Sequence, residues 1–151
     1  MTWQTETTDS GATEKLAEVI GQNLRGGEVI ELVSDLGGGK TTFVRGLARG
    51  FGSADHVTSP TFKLSNEYKS GELKLIHFDF YRLGEAGLMS NELAEEIGDP
   101  KNIVVVEWAD VVRGVLPEKR LTITFNQLVE DKRHLHFDYN ELLGYLLKGL
   151  V

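Results

Sequence analysis

A chain of 151 residues, 40% of them apolar, has the size and make-up of one globular domain with a single substantial core, and is too short for two catalytic domains. Its 16 Lys and Arg against 23 Asp and Glu leave a formal net charge of −7, which argues against a direct grip on nucleic acid, where clustered basic side chains must neutralise phosphates. The lack of cysteine excludes disulfides, thiolate catalysis and cysteine-held zinc, and no apolar run reaches the ~18 residues that suggest a membrane span. The polar, acidic opening MTWQTETTD does not read as a signal peptide, so the cytoplasm is the expected location, with no membrane association.

Residues 3–7 alternate and predict an edge strand. Ser10 is the predicted cap of a helix running to about Arg25, with Leu16, Val19, Ile20 and Leu24 at helical spacing and Gly26-Gly27 as its stop. Residues 28–33 (EVIELV) read as a strand, and residues 41–49 as a helix with Phe43, Val44, Leu47 and Ala48 on one face, closed by Gly50 and Gly52. Residues 62–68 and 72–78 form a predicted hairpin around Lys69-Ser70-Gly71. A short helix is expected over 90–97, with Ser90 as cap and Gly98 as terminator. The run Ile103-Val104-Val105-Val106 is too short and too β-branched for a helix and predicts a buried, parallel strand. Residues 121–125 and 134–139 predict a late antiparallel pair, and residues 140–150 a C-terminal amphipathic helix.

The most informative stretch is Ser34-Asp35-Leu36-Gly37-Gly38-Gly39-Lys40-Thr41-Thr42, which follows a strand and opens a helix. Consecutive glycines let backbone N–H groups turn inward into an anion nest, and the helix N-terminus behind them favours phosphate. In such a loop Lys40 reaches the β and γ phosphates and the Thr41 hydroxyl ligates Mg²⁺. The full phosphate-loop pattern has Gly six residues before the lysine, where this chain has Ser34. The expected fold is therefore α/β and like the P-loop NTPases. It has three layers, with a mixed, largely parallel sheet between helices and a late antiparallel pair, in one domain over 1–151.

A phosphate loop needs carboxylates to hold the metal and orient a nucleophile. Glu107 ends the apolar run 103–106, and Asp79 ends Leu75-Ile76-His77-Phe78. Lys40, Glu107 and Asp79 are the candidate catalytic residues. Trp108 either stacks on a base or packs on the sheet, and the sequence does not separate the two. No N-K-x-D string for guanine occurs.

The strings Asp35-Leu36-Gly37-Gly38-Gly39-Lys40-Thr41-Thr42-Phe43, Ser59-Pro60-Thr61-Phe62, His77-Phe78-Asp79-Phe80-Tyr81-Arg82-Leu83, Asn91-Glu92-Leu93 and Glu107-Trp108 fall in an order that resembles the TsaE family, bacterial P-loop ATPases of tRNA threonylcarbamoyladenosine synthesis. The resemblance spans about residues 10–133; the family usually has Gly at position 34 and Ala at position 38. It implies that Leu36 to Thr41 wrap the phosphates of ATP, with Asp35 and Thr42 in the same loop, and that Thr41 and Glu107 hold Mg²⁺. It further implies that Asp79 serves hydrolysis near the γ-phosphate, that Ser59-Pro60-Thr61 senses nucleotide state, and that Trp108, Thr13 and Arg133 flank the nucleotide. The implied partners are TsaD, which modifies adenosine 37 of ANN-decoding tRNAs, and its scaffold TsaB, with tRNA met only through the complex.

Other residues have plainer readings. His77 reads as a hydrogen-bonded structural histidine, His134 and His136 as exposed strand residues without metal-binding support, and Glu92, Glu95 and Glu96 as a solvated helix face. Arg82 pairs within the fold or reaches a partner. Two other functions remain open on the residues: a small-molecule kinase, which needs an arginine-rich lid that the scattered arginines at 25, 45, 49, 82, 113, 120 and 133 do not suggest, and a nucleotide-sensing module without turnover.

Overall fold

The computed structural model describes residues 1–34, 39–58, 65–81 and 87–151. Among the described residues seven strands form one sheet: β1 (Thr2–Thr7), β2 (Val29–Val33), β3 (Ser65–Ser70), β4 (Leu73–Asp79), β5 (Asn102–Glu107), β6 (Leu121–Gln127) and β7 (Arg133–Tyr139), in the spatial order β1-β7-β6-β2-β5-β4-β3. The central β4, β5, β2 and β6 run parallel, whereas β3, β7 and β1 pair antiparallel. The polarity follows from the sequence. Every residue of β5 is buried, as its unbroken apolar run demands of a strand covered on both faces, while β1 alternates at the sheet edge.

The side-chain alternation splits the interior into two clusters, one on each face of the sheet. Ile103 and Val105 of β5 pack with Ala17 and Ile20 of α1 (Ser10–Gln22) and Phe43, Val44 and Leu47 of α2 (Lys40–Phe51). Val104 and Val106 pack instead with Leu93 of α3 (Gly87–Gly98) and with Ala109 and Val112 of a 3₁₀ helix, Ala109–Val115. The result is the expected three-layer α/β arrangement, with the late antiparallel pair joined to the main sheet through β6. No described helix is long and apolar enough to cross a membrane.

Several boundaries differ from expectation. The cap of α1 is Asp9, not Ser10: its carboxylate accepts from the Ala12 N–H at 2.7 Å, and a charged acceptor suits the helix N-terminus. That helix stops at Gln22, three residues short of Arg25, because Arg25 and Gly26 turn their N–H groups onto the buried Glu28 carboxylate, both at 2.7 Å. Gly50 lies inside α2, which Gly52 alone closes, and α3 begins at Gly87, before Ser90. Residues 140–150 do not form an α-helix but a 3₁₀ helix, Glu141–Leu147, capped by Asn140. The tighter winding puts Leu143 and Leu146 on one inward face. Glu96 accepts from the Asn102 side chain at 2.7 Å and so is not simply solvated.

Two features of the fold position the site. The parallel register sets Leu32 opposite Glu107, Glu107 opposite Asp79, and Val33 opposite Thr124, so the carboxyl ends of β4, β5 and β2 lie nearly level, with β6 running three residues further. Open α/β sheets bind ligands at that edge. In addition, α1 and α2 cross at backbone contact. A Cβ on Gly46 would sit 2.2 Å from the Glu14 carbonyl oxygen, and one on Gly50 would sit 1.9 Å from that of Glu18, so only glycine permits the approach. The crossing ties Thr13 of α1 to the start of α2.

Candidate active site

The site begins where β2 ends. Helix α2 opens at Gly39, whose φ of 99° is left-handed and open to glycine at no cost, and no described side chain caps it. Its N-terminal amides and dipole therefore favour an anion. Lys40, the first helical residue, is 7% exposed and folds back across the strand ends. Its Nζ donates to the Ser34 carbonyl at 3.1 Å, lies 3.8 Å from Glu107 Oε1, and stands 4.5 Å from the centre of the Trp108 ring. Thr41 follows in the first turn of α2, half-buried.

Glu107 and Asp79 face the same edge because β4 and β5 end in register. Glu107 is buried, and its Oε2 lies 2.6 Å from His77 Nε2, a short hydrogen bond between two buried groups. Asp79 is half-exposed, and its Oδ1 accepts from the Tyr81 N–H at 3.0 Å. Burial raises the Asp79 carboxyl above its ordinary range. The nearby Glu107 charge adds to the rise, and the Tyr81 hydrogen bond, His77 and Lys40 offset part of it. His77 is indeed hydrogen-bonded, but the partner is the candidate metal ligand itself. The available signal was its position two residues before Asp79, which puts both side chains on one face of β4.

Immediately after Glu107 the backbone turns sharply: Trp108 has φ 56°, a left-handed conformation that costs a bulky residue free energy. The turn directs the indole over Lys40 and against Tyr81, at 5.0 Å between ring centres, while the ring also packs against the apolar cluster around Val104 and Val106 of the sheet. Trp108 also walls a cavity of about 310 Å³ with Glu31, Ser34, Arg113 and Asn126. A second cavity, of about 160 Å³, opens beside the start of α2 and is lined by Ser10, Thr13, Gly39, Thr42, Asp131 and Arg133. Distant Thr13 and Arg133 thus meet the helix that carries Lys40. The Thr13 hydroxyl is buried and 2.6 Å from that of Thr7, which holds the wall of this cavity to β1. Asp35, Leu36, Gly37, Gly38, Ser59, Pro60, Thr61 and Arg82 lie outside the described residues.

The arrangement is suited to a nucleotide with a divalent cation: an open helix N-terminus and a lysine for phosphate, and a hydroxyl and a carboxylate as hard oxygen donors for Mg²⁺. A family model described as "Threonylcarbamoyl adenosine biosynthesis protein TsaE" matches residues 7–135. The chain is 36% identical to "tRNA threonylcarbamoyladenosine biosynthesis protein TsaE" of Bacillus subtilis (strain 168) over 126 residues, covering 83% of this chain and 78% of that protein. It is 37% identical over 123 residues to the protein of the same name from Treponema pallidum (strain Nichols), covering 82% of this chain and 90% of the relative. A solved structure named "Crystal structure of Bacillus subtilus YdiB" superposes with a TM-score of 0.76 at 30% identity, covering 99% of this chain and 94% of the other. With a family model that spans most of its length, relatives above a third identical and a matching solved fold, the chain belongs to the TsaE family.

Proposed function

We propose that the chain is a cytoplasmic, Mg²⁺-dependent ATPase that serves the formation of threonylcarbamoyladenosine at position 37 of ANN-decoding tRNAs, acting on the TsaB–TsaD pair and meeting tRNA only through that complex. The pathway follows from the names of its relatives. One observation carries the chemistry: Lys40, at the N-terminus of the helix after β2, meets Glu107, at the end of the adjacent parallel β5, with Nζ 3.8 Å from Oε1. A phosphate-gripping cation and a metal-holding carboxylate belong side by side in a nucleotide-hydrolysing site.

In this reading Lys40 exchanges its contact with Glu107 for the β and γ phosphates, and residues 35–42 wrap them. The Thr41 hydroxyl and the Glu107 carboxylate hold Mg²⁺. The metal, when bound, neutralises charge on the β and γ oxygens. Asp79 engages the Tyr81 N–H through Oδ1, and its Oδ2 accepts a hydrogen bond from the attacking water and orients it. Thr13 and Arg133 flank the nucleotide through the smaller cavity, and Trp108 forms the wall on the Glu107 side. Ser59, Pro60 and Thr61 report the nucleotide state to the partners. The net charge of −7 supports contact with tRNA through partners rather than directly.

The test is Lys40→Ala, read by titration with a fluorescent ATP analogue in Mg²⁺ and by phosphate release with and without TsaB–TsaD. Losing the cation should cost about 2–4 kcal/mol of binding, tens- to several-hundred-fold in affinity, and abolish turnover. Unchanged affinity would remove the nucleotide-site reading altogether.

A further inference from the structure

The pairing of His77 with Glu107 asks for more than a packing role. His77 is fully buried in β4, and its side chain shares a sheet face with the apolar Leu75 and Val105. Its Nδ1 is buried without a hydrogen-bond partner among the described residues, a penalty that an apolar side chain at this position would avoid. What the imidazole supplies instead is one N–H. A carboxylate only accepts, so Nε2 carries the proton that it shares with Glu107 Oε2 at 2.6 Å. The two oxygens of Glu107 are thereby given different directions. Oε2 is held from within the sheet by His77, while Oε1 faces Lys40 at the start of α2.

We propose that His77 is a positioning residue: by fixing Oε2 it orients the Glu107 carboxylate so that Oε1 is presented to the Mg²⁺ that accompanies the nucleotide. The inference rests on the assignment of Glu107 as a metal ligand made above. Ligating carboxylates are commonly oriented by such outer hydrogen bonds, whose loss weakens metal binding by about 10–100-fold.

Two variants separate orientation from packing. His77→Leu removes the donor, whereas His77→Gln can return an N–H to nearly the place of Nε2. The readout is the affinity for a fluorescent ADP analogue as a function of Mg²⁺, compared with the affinity in EDTA. His77→Leu should raise the Mg²⁺ concentration for half-saturation by about 10–100-fold with the metal-free affinity unchanged, and His77→Gln should restore most of it. Long-range ¹H–¹⁵N spectra of the nucleotide-free wild type provide a second measurement that needs no folded variant, and should show His77 as the Nε2–H tautomer. Wild-type Mg²⁺ dependence in His77→Leu, or an Nδ1–H tautomer, would overturn the role of His77. A wild type that binds no nucleotide, or binds it without help from Mg²⁺, would overturn the functional reading on which it rests.

Discussion

Replacing Gly46 with Ala tests whether the contact of α1 with α2 holds the site together. The added methyl would lie 2.2 Å from the Glu14 carbonyl oxygen and 2.8 Å from the Ala17 Cβ, both in α1. Carbon contacts settle near ~3.5 Å, so α1 must retreat by roughly 1 Å. Against this, Ala is the better helix former by about 1 kcal/mol. Overpacking costs about 1–3 kcal/mol, and the retreat also loosens the fully buried Ala17 and Leu47 at the crossing. The expected net effect is a loss of about 1–2 kcal/mol, read as a lower urea midpoint at unchanged slope. Gly98 is the control: no described residue lies within 4 Å of its notional Cβ, so Gly98→Ala should be neutral or slightly stabilising. Because Thr13 travels with α1 while Gly39 and Thr42 stay with α2, Gly46→Ala should also weaken nucleotide binding, unlike the control. A Gly46→Ala protein as stable as wild type would show that the helices are not in register-fixing contact, and the argument would fail.

Asp79→Asn should stabilise the fold at neutral pH while removing hydrolysis in the assembled complex. The folded carboxyl titrates above its ordinary value of 3.8, so the native state holds its proton more tightly than the unfolded chain, and stability falls as pH rises through the interval between the two values. The neutral variant escapes that loss, so thermal melts should place its gain above the interval and show it vanishing below about pH 3.8; an equal gain at all pH values would contradict the cause. Tyr145→Phe should cost about 1–2 kcal/mol in urea unfolding, because it removes the hydroxyl that donates to the buried Glu28 at 2.8 Å while two backbone N–H groups remain. Burial, and then the bond to Glu28, hold the phenol above its ordinary 10.0, so it stays a donor throughout the neutral range and the cost should not vary there.

Much of the architecture could be read from local pattern. The run 103–106 announced a covered parallel strand, and the glycines before Lys40 announced a helix start, because these features are properties of neighbouring residues. What escaped depends on which particular groups meet, whether close in the chain or distant. Asp9 displaces Ser10 as cap and Glu28 ends α1 early because specific carboxylates reach specific N–H groups, which composition does not rank. The left-handed turn at Trp108 is invisible in sequence, since tryptophan ordinarily avoids it, and tertiary contacts with Lys40 and Tyr81 accompany it.

The two acids show the same division most sharply. In sequence Asp79 and Glu107 are alike, each a carboxylate at the end of an apolar strand, and nothing local assigns one to metal and the other to water. Their surroundings differ. Glu107 is buried between His77 and Lys40, so its charge has a hydrogen-bond donor and a cation close by, as suits a group that must stay ionised to grip a cation. Asp79 is half-exposed, accepts the Tyr81 N–H on Oδ1 and titrates above its ordinary value, which fits the proposed task of meeting solvent and accepting a hydrogen bond from water. The register of β4 against β5 brings both to one edge, and their unequal partners are what the proposed function uses to give two chemically similar residues unlike tasks.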